Sequence, residues 1–267
     1  MIEKCIEDIK FKYKILNPGG NKTALVEGLD FSKEERVKVN NIILEDNKDV
    51  EQVGFIDRSK RKLEMAGGEF CMNATRCAIY EFLEKKEGKI DLCVSGYNGK
   101  IEGGINKDKS VYAKLKIEKS KDDLIEKRGI FNLVKLDGIL QVVVEEGNLN
   151  EFILKLKENE KEAKIELKEI MKSLDSKEDA IGIILLERKD NLLKINPVVW
   201  VKEIDTVYYE TACGSGSLAT AICKSFESNI NELSIMQPSG YIINIKLEKR
   251  VFYIENAIIT GMVLEND

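Results

Sequence analysis

Met65-Ala66-Gly67-Gly68-Glu69-Phe70-Cys71-Met72-Asn73-Ala74-Thr75-Arg76 is the stretch on which the reading of this chain turns. It has a counterpart downstream, Tyr209-Glu210-Thr211-Ala212-Cys213-Gly214-Ser215-Gly216-Ser217-Leu218-Ala219-Thr220. In both, a glutamate and a few small or apolar residues lead into a cysteine, and small or polar residues then open an apolar run of helical spacing. Ala74, Ala78, Ile79, Phe82 and Leu83 form the stripe of one helix; Leu218, Ala221, Ile222 and Phe226 form that of the other. Each cysteine is therefore expected at a helix N-terminus, where orphan N–H groups and the positive dipole end meet. Such a position favours a thiolate and also binds an anion such as a carboxylate.

The 267 residues suit two domains of about 130 each, placed here at 1–120 with Cys71 and 121–257 with Cys213. Hydrophobic residues make up 43% of the chain, enough for real cores, and the net charge of −5 gives no basic footprint for nucleic acid. No apolar run approaches a membrane span, and the N-terminal segment carries acids where a signal peptide would be apolar, so a cytoplasmic location is expected. The six cysteines form no C-x-x-C pair, which argues for reduced thiols. There is no histidine. Ser-His-Asp and Cys-His mechanisms, and metal sites with histidine ligands, are thereby excluded for the chain's own residues. Acid–base work falls to Cys, Asp, Glu, Lys or Tyr.

Around the two cysteine stretches the elements alternate. Residues 11–16 read as a strand that stops at Asn17-Pro18-Gly19-Gly20, and 23–27 resume it. Ser32 and Glu35 form a capping box for a helix from Lys33 to about Asn41. Strands are expected at 52–57, 90–95, 98–105 and 111–118, with Gly88 as the stop of the first cysteine helix. The charged run 119–128 reads as the crossing into the second half. Further on, 136–145 is a turn into a buried strand and 150–175 is charged and helix-rich. Strands at 179–187, 197–201, 231–236, 241–248 and 251–260 complete the order. The fold class is α/β (α+β): two similar domains, each a curled, mainly antiparallel sheet around a central helix.

Glu-Phe-Cys71-Met-Asn-Ala-Thr-Arg together with Thr-Ala-Cys213-Gly-Ser-Gly-Ser resembles the diaminopimelate epimerase family, over nearly the whole chain. Those enzymes racemise or epimerise amino acids with two cysteines and without pyridoxal phosphate. The resemblance implies their fold, with two domains related by a pseudo-two-fold and the active site in the cleft between them. It also implies a terminal strand near 258–267 that returns to the first domain. No cofactor and no metal are implied, the partner is a small-molecule amino acid, and a homodimer is among the assemblies left open.

Inverting an α-carbon needs a base on one face and an acid on the other, their roles exchanged in the reverse direction. Cys71 and Cys213 are the candidates; Cys5, Cys77, Cys93 and Cys223 fit packing. Backbone N–H groups of Met72, Asn73 and Ala74, and of Gly214, Ser215 and Gly216, are candidates to clamp the substrate carboxylate. Asn21 and Gln52 match substrate-contacting positions by resemblance. Departures from the diaminopimelate enzymes decide the branch. Met72 replaces the usual glycine, the Gly-Asn-Pro-His segment reads Gly138-Ile139-Leu140-Gln141, and Lys202 to Glu210 contains no arginine. A distal carboxylate would then be buried without its guanidinium, which is costly. Gln52, Gln141, Glu210 and Glu45 suit an uncharged or cationic side chain such as imidazole, and each could equally be a surface or structural residue. The branch that fits is the family's histidine racemases. Left open beside it are a diaminopimelate epimerase or another racemase, a thiol redox protein and a non-catalytic binding module.

Overall fold

The structure is a computed structural model that describes residues 1–6, 9–189, 192–202 and 205–265. It is a mixed α/β fold with six helices among the described residues, and it divides into two compact units. The first comprises Met1–Lys114 and Thr260–Asp267, the second Leu115–Ile259. No helix is long and apolar enough to cross a membrane, among the described residues.

The first unit runs β1 (Ile2–Ile6), β2 (Ile9–Asn17), β3 (Lys22–Glu27), α1 (Lys33–Asp46), β4 (Val50–Asp57), β5 (Lys62–Met65), α2 (Met72–Phe82), β6 (Gly88–Val94), β7 (Lys100–Ile105) and into β8 (Val111–Ser120). The β2–β3 turn is closed by Asn17, whose Oδ1 accepts from the N–H groups of Gly19 and Gly20 at 3.1 and 2.6 Å. Antiparallel pairing joins β1–β2, β2–β3, β4–β5, β6–β7 and β7–β8; the parallel steps are β3–β4 and β5–β6, bridged by α1 and α2. Val53 to Ile56 are all buried, so β4 needs cover on both faces. On one face Ala24, Val26, Val53 and Phe55 pack with Val39 and Ile43 of α1. The other face is taken by α2, which lies against β3 to β7. Met72 to Ile79 are buried without a break, the signature of a helix enclosed by its sheet.

The capping box is formed, Ser32 Oγ accepting from Glu35 N–H and Glu35 Oε2 from Ser32 N–H, and the helix runs on to Asp46. Gly88 does not stop α2. Glu84 and Lys85, with φ of 49° and 66°, make the turn, and Gly88 opens β6.

The second unit runs α3 (Lys121–Leu124), β9 (Ile125–Arg128), β10 (Phe131–Leu136), β11 (Ile139–Val144), α4 (Asn150–Glu158), α5 (Glu160–Ser173), β12 (Ala180–Lys189), β13 (Leu192–Val201), β14 (Thr206–Tyr209), α6 (Gly214–Ser228), β15 (Glu232–Met236), β16 (Ile242–Arg250) and β17 (Tyr253–Gly261). The charged run expected as a plain crossing holds a short helix and β9, which pairs with β10 from Ile125↔Val134 to Arg128↔Phe131. Its exposed charges are those of an edge strand. From β10 to β16 the pairings run antiparallel, parallel, antiparallel, parallel, antiparallel. The first unit has the same succession from β2 to β7. Helices α4 and α5 bury Phe152, Ile153, Leu156, Ala163, Leu167 and Met171 and turn their charges outward. Helix α6 is again enclosed, packed against β10 to β13, β15 and β16. Finally β18 (Leu264–Glu265) pairs with β2 of the first unit, Leu264 opposite Asn17 and Glu265 opposite Leu16.

Candidate active site

Cys71 is the N-cap of α2. Its backbone is extended, with φ −128° and ψ 116°, and its Sγ accepts from the Ala74 N–H at 3.4 Å. The Thr75 N–H and hydroxyl both donate to the Cys71 carbonyl, at 3.0 and 2.7 Å. Cys213 repeats this at the start of α6. With φ −132° and ψ 107°, its Sγ accepts from the Gly216 N–H at 3.3 Å. The Ser217 N–H and hydroxyl donate to its carbonyl at 3.0 and 2.7 Å. The sequence produces both corners in one way. A cysteine replaces the usual Ser or Asp cap, and a hydroxyl four residues on secures the cap carbonyl.

The two sulfurs differ in what surrounds them. Cys71 is half-buried, and its thiol donates to Gln52 Oε1 on β4 at 2.8 Å. The Gln52 Nε2 donates in turn to Thr23 Oγ1 at 2.7 Å. An amide has a donor end and an acceptor end, and the Thr23 hydroxyl either donates or accepts. A half-turn of Gln52 therefore presents N–H to a thiolate and keeps the Thr23 bond if the Thr23 hydroxyl turns its one hydrogen from the Asn21 carbonyl to the amide oxygen. Thr23 also hydrogen-bonds Cys77, a buried thiol pushed up to about 12 by its burial.

Cys213 is 3% exposed. Burial pushes its thiol well above its ordinary value, and the Glu210 carboxylate adds to this through its charge and a hydrogen bond; Ser215 and the Gly216 N–H pull the other way. Ser215 Oγ lies 3.5 Å from the sulfur and accepts from Gln141 Nε2 at 2.9 Å. Gln141 is fully buried, and its Oε1 fills the place of a side chain at Gly182, where a Cβ would come within 2.1 Å of it. The Cys213 N–H donates to Gln237 Oε1 at 2.9 Å, and Gln237 Nε2 donates to Ser217 Oγ and the Ile235 carbonyl.

In the first unit the structure thus gathers Gln52, Met72, Asn73 and Ala74 about Cys71, with Asn21 buried at the head of β3. The Ala74 N–H is directed at the sulfur rather than outward. In the second it gathers Glu210, Gly214, Ser215 and Gln141 about Cys213, the Gly216 N–H again aimed at sulfur. Glu45 is exposed near the end of α1, and Ile139 is half-buried at the start of β11. Of the Lys202–Glu210 segment, Glu203 and Ile204 lie outside the described residues. Within it, Lys202 donates to the Ser176 carbonyl, and Asp205 takes Lys168 and the Trp200 indole. Cys5 is exposed and Cys93 half-buried, while Cys223 is buried and pushed up to about 12 by that burial.

Sequence reasoning missed Arg76, Thr23 and Gln237. Arg76 carried a signal, a lone charge inside an apolar helical run. Gln237 carried none, lying 24 residues beyond Cys213. No group of three or more Cys, Asp or Glu is placed to hold a metal among the described residues.

Residues 9–264 match the family described as "Histidine racemase CntK N-terminal domain". A histidine racemase of Fusobacterium nucleatum subsp. nucleatum is 30% identical over 256 residues, which cover 91% of this chain and 92% of that protein. A histidine racemase of Staphylococcus aureus (strain Mu50) is 22% identical over 240 residues, 85% of each chain. Among solved structures, a phenazine biosynthesis protein of the PhzF family from Enterococcus faecalis superposes with a TM-score of 0.61, at 14% identity, covering 96% of this chain and 97% of that one. At that identity the likeness speaks for the fold alone. The likeness to diaminopimelate epimerases is the looser one: the chain belongs to the histidine racemase family, and it is an enzyme, a racemase.

Proposed function

We propose that this racemase acts on histidine, without pyridoxal phosphate or metal, by a two-base mechanism in which Cys71 and Cys213 are acid and base. The observation that carries the reading is the repeated corner, a cysteine N-cap whose sulfur accepts from the backbone N–H three residues on, once in each unit. The two units, with the same succession of strand pairings, are read as copies of one design. The domains are 1–120, to which the terminal strand belongs, and 121–257.

The thiolate of one cysteine takes the α-proton and becomes a thiol; the electron pair passes into the substrate carboxylate, which becomes enolate-like. The other thiol delivers its proton to the opposite face and is left as thiolate. Reversal exchanges the roles. Only one sulfur is ionised at a time, because two thiolates on one small substrate repel and titrate as a coupled pair. First-turn N–H groups, such as those of Met72, Gly214 and Ser215, hold the carboxylate as charge develops on it. Asn21, Asn73 and Gln52 near Cys71, and Glu210 near Cys213, are the polar groups offered to the substrate, and Gln141 holds Ser215 from behind. Imidazole offers one donor and one acceptor to such groups. A site built on hydrogen bonds rejects a substrate that lacks them far more strongly than an apolar pocket rejects a methylene.

The test is a panel of L-amino acids in heavy water, scored for α-deuteration and for the D-product. L-Histidine should stand well above alanine, with diaminopimelate near background. A kcat/KM ratio of histidine to diaminopimelate at or below one would return the chain to epimerase chemistry. No α-deuteration of any amino acid would sink the enzyme reading.

A further inference from the structure

Among the described residues Arg76 is the largest fully buried side chain, and it has no carboxylate partner. Arg36, Arg58, Arg128, Arg188 and Arg250 each pair with a glutamate. Arg76 instead turns back along its helix, Nη2 donating to Asn73 Oδ1 at 3.0 Å and to the Pro18 carbonyl at 2.8 Å. Its Nε and Nη1 have no hydrogen-bond partner, which leaves three of the five guanidinium hydrogens unmatched. A buried cation without a counter-ion is expensive, and any negative charge formed nearby is stabilised by it.

The groups around it narrow the choice of that charge. Its own helix carries Cys71 as the cap, Cys77 as the next residue, and Glu81; Gln52 of β4 reaches Cys71, and Thr23 of β3 reaches Cys77. Glu81 is already held by Lys14 and Arg58. Burial lowers the Arg76 guanidinium to about 10, and the charges that offset this are those of the Cys77 and Cys71 thiolates. Cys77, fully enclosed and pushed up to about 12, stays a thiol at neutral pH. Cys71 is half-buried, caps the helix and meets an amide able to donate to it. In the second unit the corresponding position, five residues beyond the cysteine, is the buried Leu218, and the charged group at the sulfur is Glu210.

We propose that Arg76 is a positioning residue that makes Cys71 the resting thiolate, leaving Cys213, beside Glu210, as the resting thiol. The inference rests on the two-cysteine reading, but its test does not require racemisation. The folded protein is treated with iodoacetamide across a pH series, and carboxamidomethylation of each cysteine is followed by peptide mass mapping. The readout is the pH midpoint of each rate curve, which reports ionisation rather than access.

In the unaltered protein the Cys71 midpoint should lie at least about one unit below that of Cys213, a tenfold difference in thiolate fraction near neutrality. Arg76→Leu, which copies Leu218, should raise the Cys71 midpoint and slow its neutral-pH alkylation about tenfold, leaving Cys213 unmoved. Arg76→Lys should keep most of the unaltered behaviour. If the leucine variant unfolds, seen as Cys77 alkylating as fast as Cys71, Arg76→Gln removes the charge while keeping amide donors for Asn73 and Pro18. A lower midpoint at Cys213, or a Cys71 curve within about twofold of the unaltered one in a folded neutral variant, overturns the proposal. A protein with the expected midpoints that fails to racemise histidine fails the functional reading and keeps this one.

Discussion

The two cysteine corners share a backbone and differ in charge. At both, the sulfur caps a helix, the N–H three residues on points at it, and a hydroxyl four residues on secures the cap carbonyl. The helix that Cys71 caps holds a buried guanidinium, and the sulfur meets an amide; beside Cys213 the charge is the Glu210 carboxylate, and the sulfur meets a hydroxyl. A helix N-terminus is thus not enough to say what a thiol does. Its dipole contributes similarly at both ends of the comparison, so the side chains packed behind each sulfur must carry the difference.

The largest expected effect tests whether both corners are needed. Cys71→Ala and Cys213→Ala should each cut racemisation at least about a hundredfold, whereas Cys77→Ala and Cys223→Ala should retain most of it. Measured rates from L- and D-histidine decide this, and full activity in either of the first two variants breaks the pairing.

Next comes the third position after each sulfur, Ala74 in one corner and Gly216 in the other. A Cβ at Gly216 would stand 2.6 Å from Ile184 Cδ1 and 3.1 Å from Cys213 Sγ. Gly216→Ala should therefore meet an overpacking cost of about 1–3 kcal/mol, against a helix-propensity gain of up to about 1 kcal/mol, for a net loss. It should also lower racemisation by displacing the sulfur. Ala74→Gly should cost about 1 kcal/mol or less and leave the Cys71 sulfur in place. Urea unfolding with parallel assays separates the two, and equal effects would mean the corners are packed alike.

The capping hydroxyls should differ by less. Thr75→Val, which keeps the buried methyl, removes one bond, worth about 1 kcal/mol. Ser217 also accepts from Gln237 Nε2 at 3.0 Å, so Ser217→Ala strips a buried amide as well and should cost about 1–3 kcal/mol.

The smallest difference is expected between Cys77 and Cys223, both buried and both pushed up to about 12 from the ordinary 9.0. A thiol raised in the fold holds its proton through that window while the unfolded chain gives its proton up. The contribution is whole below the ordinary value and is lost as pH rises toward about 12. Stability should fall between about pH 9 and about pH 12, and Cys77→Ala and Cys223→Ala should flatten that fall equally. Unequal slopes would show that charge, not burial, sets one of them.

How much of this could be read beforehand follows from the range of the interactions. The cysteine caps and the Ser32–Glu35 box are contacts within four residues, and a linear pattern records such contacts. The strand at Ile125–Arg128 was hidden because its partner β10 supplies the pairing while its own residues are charged. The end of α2 depends on Glu84 and Lys85 taking the left-handed region, which no glycine marks. Around the sulfurs, Gln52 is legible only through the family resemblance, and its bond to the Cys71 thiol is a tertiary contact that no linear pattern records. Arg76 and Gln237 act through burial, and burial is decided by what folds over them. A charge in an apolar helix is a sign of this kind only once the helix is known to be enclosed.

The pairing of β18 with β2 bears on the order in which the protein can mature on the ribosome. The first unit includes residues that follow the whole of the second in the chain. Glu265, held near 2 by hydrogen bonds from Lys14 and Lys85, joins β2 and the turn after α2 to that late segment. While the second unit is being synthesised, β2 has no β18 beside it, and of the carboxylates that hold Lys14 among the described residues Glu81 alone is present. The Cys71 unit begins first and finishes last, a long-range closure of the slow kind. The nascent enzyme therefore completes the second cysteine corner's unit before it can seal that of the first.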